Sequence, residues 1–195
     1  MQTEQIWVMH RKLKNNELGR LSTEEFKEAE KIDVTVVLDN IRSQHNIGAA
    51  FRTSDSFLIE KIILCGCCAT PPTAEIHKSA LGAEFSVEWE YLKETTDAVA
   101  SLKAAGYTII SIEQAENSIK LQEIEEYLSP DKISGRKYAL VFGNEVKGVQ
   151  QEVVDMSDAV IEIPQYGTKH SLNISVSLGI VLWEFCKELK IKGGR

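Results

Sequence analysis

The chain predicts a single α/β domain built on a mainly parallel six-stranded sheet flanked by helices, and three observations carry that expectation. Six runs of apolar, often β-branched residues have strand length. Segments of helical character separate most of them, punctuated by glycine or proline, and such alternation is the pattern of a parallel sheet with helical crossovers. Finally, 195 residues with 43% hydrophobic and 26% charged composition suffice for one core of ordinary globular type.

Residues 1–33 read as a short arm carrying one helix, ahead of a main domain over 34–195. Ser22 and Glu25 have the spacing of a capping box and Leu21 and Phe26 that of a hydrophobic staple, which predicts a helix from Thr23 to Lys31. The first strand is Val34 to Leu38, followed by a loop and a helix through Ile47, Ala49, Ala50 and Phe51. Lys61 to Cys65 is the second strand. Pro71-Pro72-Thr73 introduces a short helix, Ala74 to Leu81, and Phe85, Val87, Trp89 and Tyr91 alternate as the third strand. Asp97 to Ala105 is helical with Gly106 as its stop, Tyr107 to Ile112 is the fourth strand, and an acidic helical stretch runs to Leu128. After a loop over 130–136 come the fifth strand, Tyr138 to Phe142, a short helix, Gln150 to Met156, and the sixth strand, Ala159 to Ile163. Pro164 and Gly167 turn the chain into a final helix, Leu172 to Leu189, which is apolar on nearly every face and so is expected to be buried all round.

The same composition limits the function classes. No basic segment followed by an apolar run opens the chain, and the final helix carries Glu184 and Lys187, so neither export nor a membrane span is expected and the protein reads as cytoplasmic. Cys65, Cys67 and Cys68 lack nearby histidines at zinc spacing; with Cys186 they read as buried reduced thiols, and no metal is expected. No G-x-G-x-x-G and no G-x-x-x-x-G-K-[ST] occurs, so neither common nucleotide fingerprint applies. The net charge of −7 opposes nucleic-acid binding overall. Local positive charge, however, collects at Arg42, His45, Arg52, Lys147, Lys169 and His170, all in polar islands that follow strands.

Those islands carry the functional signal. They are NIRSQHNIGAAFRTSD from Asn40, LVFGNEVKG from Leu140, and IPQYGTKHSLNIS from Ile163. A parallel sheet binds ligands beyond the carboxyl ends of its strands, where all three lie. Gly143, Gly148 and Gly167 mark places where backbone takes positive φ or approaches something closely. Taken together, Asn46, Gly48 and Arg52, then Phe142, Gly143, Glu145 and Gly148, then Ile163-Pro164 with Ser171-Leu172-Asn173-Ile174-Ser175 resemble the three signature motifs of the SpoU (TrmH-type) RNA ribose methyltransferases of the SPOUT superfamily.

The resemblance implies a C-terminal deep trefoil knot, S-adenosyl-L-methionine as cofactor, tRNA or rRNA as substrate, and a homodimer whose sites use both chains. It implies cofactor contacts from Gly143, Ile163 and Leu172, and catalytic-site roles for Arg52, Asn46, Glu145, Ser171 and Asn173. Arg52 is the matching catalytic residue. Its guanidinium is too strong a cation to serve readily as a base, and fixing the 2′-oxygen or a phosphate is the easier role. Asn46 is expected to hold Arg52 or the substrate, and Glu145 to anchor Arg52 or the motif loops. A base methyltransferase of the same superfamily and a non-catalytic RNA-binding or cofactor-sensing knot protein are the alternative readings.

Overall fold

The computed structural model describes residues 10–128 and 136–192, the side chains of residues 15 and 190–192 excepted. Among the described residues seven strands form one sheet: β1 (Ile32–Asp39), β2 (Ile59–Cys65), β3 (Glu88–Leu92), β4 (Tyr107–Ile112), β5 (Ile119–Lys120), β6 (Lys137–Phe142) and β7 (Ala159–Glu162), in the order β3-β2-β1-β6-β4-β7-β5. Every pairing between them is parallel. The helices are α1 (Thr23–Glu28), α2 (Gln44–Ser56), α3 (Ala74–Ala80), α4 (Thr95–Ala104), α5 (Ile124–Tyr127), α6 (Gln151–Met156) and α7 (Ile174–Cys186).

The strand periodicity divides the core into two layers. Val34, Val36, Leu38, Ile62, Leu64, Leu140 and Phe142 pack with Ile47 and Phe51 of α2, Ile76 of α3, and Leu178, Val181, Leu182 and Phe185 of α7. From the other face Val37, Ile63, Ile109, Ala139 and Val141 meet Ala98, Val99 and Leu102 of α4 and Val153 of α6. In register, Leu38 faces Leu64 on one side and Phe142 on the other, so the carboxyl ends of β1, β2 and β6 finish level. That shared rim brings the loops after β1 and β6 together.

The six expected strands are present, with a seventh added. The acidic stretch after β4 is not continuously helical: Asn117 takes φ 60, and Ile119–Lys120 pairs with Ile161–Glu162 before a 3₁₀ turn and the one-turn α5. At β3 the expected alternation starts too early, because Ala83–Phe85 is a 3₁₀ turn. The capping box of α1 forms as expected, with Ser22 accepting from the Glu25 N–H and Glu25 returning to the Ser22 N–H. The helix stops at Glu28 rather than Lys31, because Ala29 adopts extended backbone and Lys31 Nζ turns back onto the Phe26 carbonyl. Residues 1–9 of the arm and residues 130–135 of the expected loop lie outside the described residues.

Helix α7 is not buried all round. Leu178, Val181, Leu182 and Phe185 face the core, but Val176, Ile180 and Trp183 form a stripe exposed by 48%, 37% and 53%. Of the cysteines, Cys65, Cys68 and Cys186 are buried and Cys67 is exposed, which corrects the expectation for Cys67. No helix among the described residues is long and apolar enough to cross a membrane.

Candidate active site

A cavity of about 320 Å³ opens at the carboxyl ends of β4, β6 and β7. Its size falls within the range of small-molecule sites. Gly143, Ile163 and Leu172, the expected cofactor contacts, all line it, as do Glu145 and Ser171. Ile112, Phe142 and Ile174 add apolar surface, while Gln114, Gln165 and His170 add polar groups. Among the described residues no cluster of three or more His, Cys, Asp or Glu side chains is placed to hold a metal ion.

The loop after β6 is closed tightly. Asn144 and Gly148 exchange two backbone hydrogen bonds of 3.0 and 2.8 Å, and Asn144 Oδ1 accepts the Val146 and Lys147 N–H groups. Gly148 has φ +71, a left-handed backbone that favours glycine. At Gly143 a Cβ would stand 2.0 Å from Val149 N and 2.1 Å from the Gly148 carbonyl carbon, so glycine is required by the loop's own closure and not by ligand space. Gly167 differs from expectation: it has no positive φ, and a Cβ there would meet nothing within 4 Å.

Three motif residues meet at the cavity's edge. Asn46, 6% exposed on the first turn of α2, donates from Nδ2 to Glu145 Oε1 at 3.0 Å and accepts at Oδ1 from Asn173 Nδ2 at 3.3 Å. Asn173 also caps α7, its Oδ1 accepting from Ser175 N at 2.9 Å. Asn173 therefore satisfies a helix end and ties it to the first motif, and Asn46 carries the link on to the second. The partners of Asn46 are thus Glu145 and Asn173. Arg52 is not among them, because six residues along a helix place it about 120° round the axis from Asn46. Arg52 instead opens on a second groove of about 680 Å³, bounded by residues 18–23, Phe26, Asp55, Leu58 and residues 80–83. Arg42, His45, Lys147, Lys169 and His170 are all exposed, so the local cations do reach the surface around the motif loops.

Several organising residues escaped the sequence reading. Asp39, fully buried at the end of β1, accepts from Thr95 Oγ1 at 2.6 Å, from Gln150 N and Nε2 at 2.9 and 2.7 Å, and from Asn40 Nδ2 at 2.9 Å. Asn144 Nδ2 donates to the Asn40 carbonyl at 2.7 Å, joining the loops after β1 and β6. Glu113 Oε2 accepts the Val149 N–H at 2.9 Å. An acid or amide directly after an apolar strand was the available signal. At the other edge Lys120 and Ser118 hold the Glu162 carboxylate and keep its pKa below the usual value. Burial pushes the thiols of Cys65 and Cys68 up to about 12 and about 11, so neither is a nucleophile at neutral pH.

Comparison with known proteins agrees with this geometry. The model of the SpoU rRNA Methylase family matches residues 33–183. A tRNA (guanosine(18)-2′-O)-methyltransferase of Aquifex aeolicus is 31% identical over 172 residues, covering 87% of this chain and 76% of the relative. The enzyme of the same description from Thermus thermophilus is 29% identical over 181 residues, covering 91% and 86%. Among solved structures, the A. aeolicus TrmH/SpoU tRNA modifying enzyme superposes with a TM-score of 0.72 at 27% identity, over 88% of this chain and 82% of its own. An AdoMet-bound rRNA methyltransferase from Sinorhizobium meliloti gives 0.72 at 26% identity, over 85% and 60%. With a match across most of its length and the three motifs assembled at one rim of the sheet, the chain belongs to the SpoU rRNA methylase family.

Proposed function

We propose that the protein is an S-adenosyl-L-methionine-dependent RNA methyltransferase that transfers a methyl group to a ribose 2′-hydroxyl of tRNA or rRNA, acting as a cytoplasmic homodimer. The observation that carries the reading is the cavity walled by the second and third motif loops and tied to the first through Asn46, Glu145 and Asn173. Its lining suits the donor: Phe142, Ile163, Leu172 and Ile174 offer apolar contact to a purine, while the turn from Gly143 to Gly148 and Ser171 offer polar groups.

The cofactor, when bound, supplies a methyl group already activated on a sulfonium. The chain's residues then have to align the 2′-oxygen and assist the loss of its proton. Gly143, Ile163 and Leu172 hold the donor. Asn46, Glu145 and Asn173 keep the motif loops in register, and Ser171 orders the loop between donor and RNA. A guanidinium is a poor base, so the role of Arg52 is to fix the 2′-oxygen or a neighbouring phosphate and to stabilise developing alkoxide charge.

Because Arg52 opens away from the cavity of its own chain, the complete site takes Arg52 from a second copy. The stripe of Val176, Ile180 and Trp183 on α7 is the surface proposed to join the copies. Threading of α7 into a deep trefoil knot, and the division into an arm over 1–33 and a methyltransferase domain over 34–195, belong to the same proposal. Exposed cations around the motif loops meet RNA phosphate on an otherwise acidic body.

The test is transfer of labelled methyl from S-adenosyl-L-methionine to RNA from cells lacking the gene, followed by nucleoside analysis. A 2′-O-methyl nucleoside in one RNA fraction is expected. A methylated base would move the protein to a base-modifying class, and donor binding with no transfer to any RNA would reject the catalytic reading.

A further inference from the structure

The pair Glu113-Gln114, which belongs to none of the three motifs, stands at the tip of β4 between the two loops that line the cavity. Both Glu113 oxygens are occupied. Oε2 accepts the Val149 N–H at 2.9 Å, and Oε1 accepts the Gln114 N–H at 2.8 Å. The loop after β6 lies directly on this carboxylate: a Cβ at Gly148 would stand 2.0 Å from Oε2. The Glu113 N–H donates to the Ile161 carbonyl of β7 at 3.0 Å. Gln114 Nε2 reaches the other way, to the His170 carbonyl at 2.9 Å, immediately before Ser171.

We infer that Glu113 and Gln114 are positioning residues for the methyl donor: Glu113 clamps the loop after β6 and Gln114 the loop after β7, so that the cavity between them keeps its shape. The inference rests on the reading of that cavity as the donor site. Its physical basis is the strength and direction of the bonds. An ionised carboxylate accepting a backbone N–H makes a charge-assisted hydrogen bond, and here it fixes a segment whose left-handed turn at Gly148 has few alternative conformations. Neither residue is assigned any step in the transfer itself.

A purely structural role would lower stability without sorting the kinetic constants, so the test separates them. In Glu113→Ala the dissociation constant and KM for S-adenosyl-L-methionine rise about tenfold or more, the order expected for a lost charge-assisted hydrogen bond. KM for RNA and kcat stay within a few-fold. Glu113→Gln, which keeps one acceptor oxygen, recovers part of the affinity. Gln114→Ala, at an exposed position, weakens donor binding in the same direction. Hydrogen exchange without ligand reads the clamp directly: backbone amides of 143–149 exchange faster in Glu113→Ala, and those of 171–173 in Gln114→Ala. Parental affinity and parental exchange in both alanine variants would overturn the inference. Faster exchange in the variants, beside a parent chain that itself fails to bind S-adenosyl-L-methionine, would reject the donor-site reading while leaving the clamp standing. Should Glu113→Ala fail to fold, Glu113→Gln and Gln114→Ala decide the matter alone.

Discussion

Replacing Gly143 by alanine adds one carbon and should disable the donor pocket. That carbon would lie 2.0 Å from Val149 N, against a floor of 3.0 Å for real Cβ contacts, so the facing backbone has to retreat by about 1 Å. No side-chain rotation can relieve the clash, because both obstructing groups are main chain. Retreat breaks or lengthens the two Asn144–Gly148 bonds and the bond from Val149 N to Glu113. With neutral bonds worth about 1 kcal/mol each and the carboxylate bond about 1.5–3, partial loss of the three costs about 3 kcal/mol. If that cost falls on the donor-binding conformation, affinity drops by about a hundredfold. Isothermal titration with S-adenosyl-L-methionine measures it, and thermal unfolding shows whether the loss stays local to this surface loop. Parental affinity together with an unchanged melting temperature would refute the close approach at Gly143 and the argument built on it.

Other perturbations test other parts of the structure. Arg52→Ala is expected to abolish methyl transfer while leaving donor affinity within a few-fold, since Arg52 does not line the cavity; equal loss of both would make it a pocket-organising residue. A double-mutant cycle of Asn46→Ala and Glu145→Ala, read by thermal unfolding, should give a coupling of about 1 kcal/mol from their 3.0 Å bond, and additivity would deny that bond a role in stability. Iodoacetamide at pH 8 should label Cys67 alone in the folded protein, because Cys65 and Cys68 are buried with raised pKa and Cys186 is buried; peptide mass analysis reads the outcome. Glu162 has a lowered pKa, so its pairing with Lys120 contributes fully above the ordinary value of 4.5 and is lost as pH falls through the depressed one. Lys120→Ala should therefore flatten the acid limb of the stability curve, and an unchanged limb would show that another carboxylate controls it.

Much of the architecture was legible because its signals are local. Strand-sized β-branched runs, the Ser22–Glu25 capping box and the glycines at 143 and 148 each express a constraint that acts within a few residues. Motif positions were legible for a different reason: they fall where strands end, and a parallel sheet gathers those ends. What stayed hidden depends on pairing at a distance. The two residues of β5 are too few to show a period, and only their register with Ile161 and Glu162 makes them a strand. Glu113 and Asp39 act through backbone N–H groups 36 and 111 residues away, which no spacing rule reveals. Arg52 and Asn46 sit in one motif, yet helix geometry turns them toward different surfaces.

The order β6-β4-β7 has a consequence for how the molecule is made. Strands β1, β2 and β3 pair among themselves in sequence order and can assemble while the chain is still being synthesised, leaving only one edge of β1 open for β6. Strand β4, by contrast, is flanked on both sides by strands that follow it in sequence, so it waits with both edges bare until β6 and then β7 arrive. Long-range parallel pairing of this kind is slow and exposes strand edges to aggregation. The cavity needs the tips of β4, β6 and β7 together with the first turn of α7, so it cannot exist before the last strand and the start of the last helix are in place. A ribosome-bound chain stalled before residue 159 would lack one wall of it, and the onset of donor binding during synthesis marks the docking of the last helix on the completed sheet.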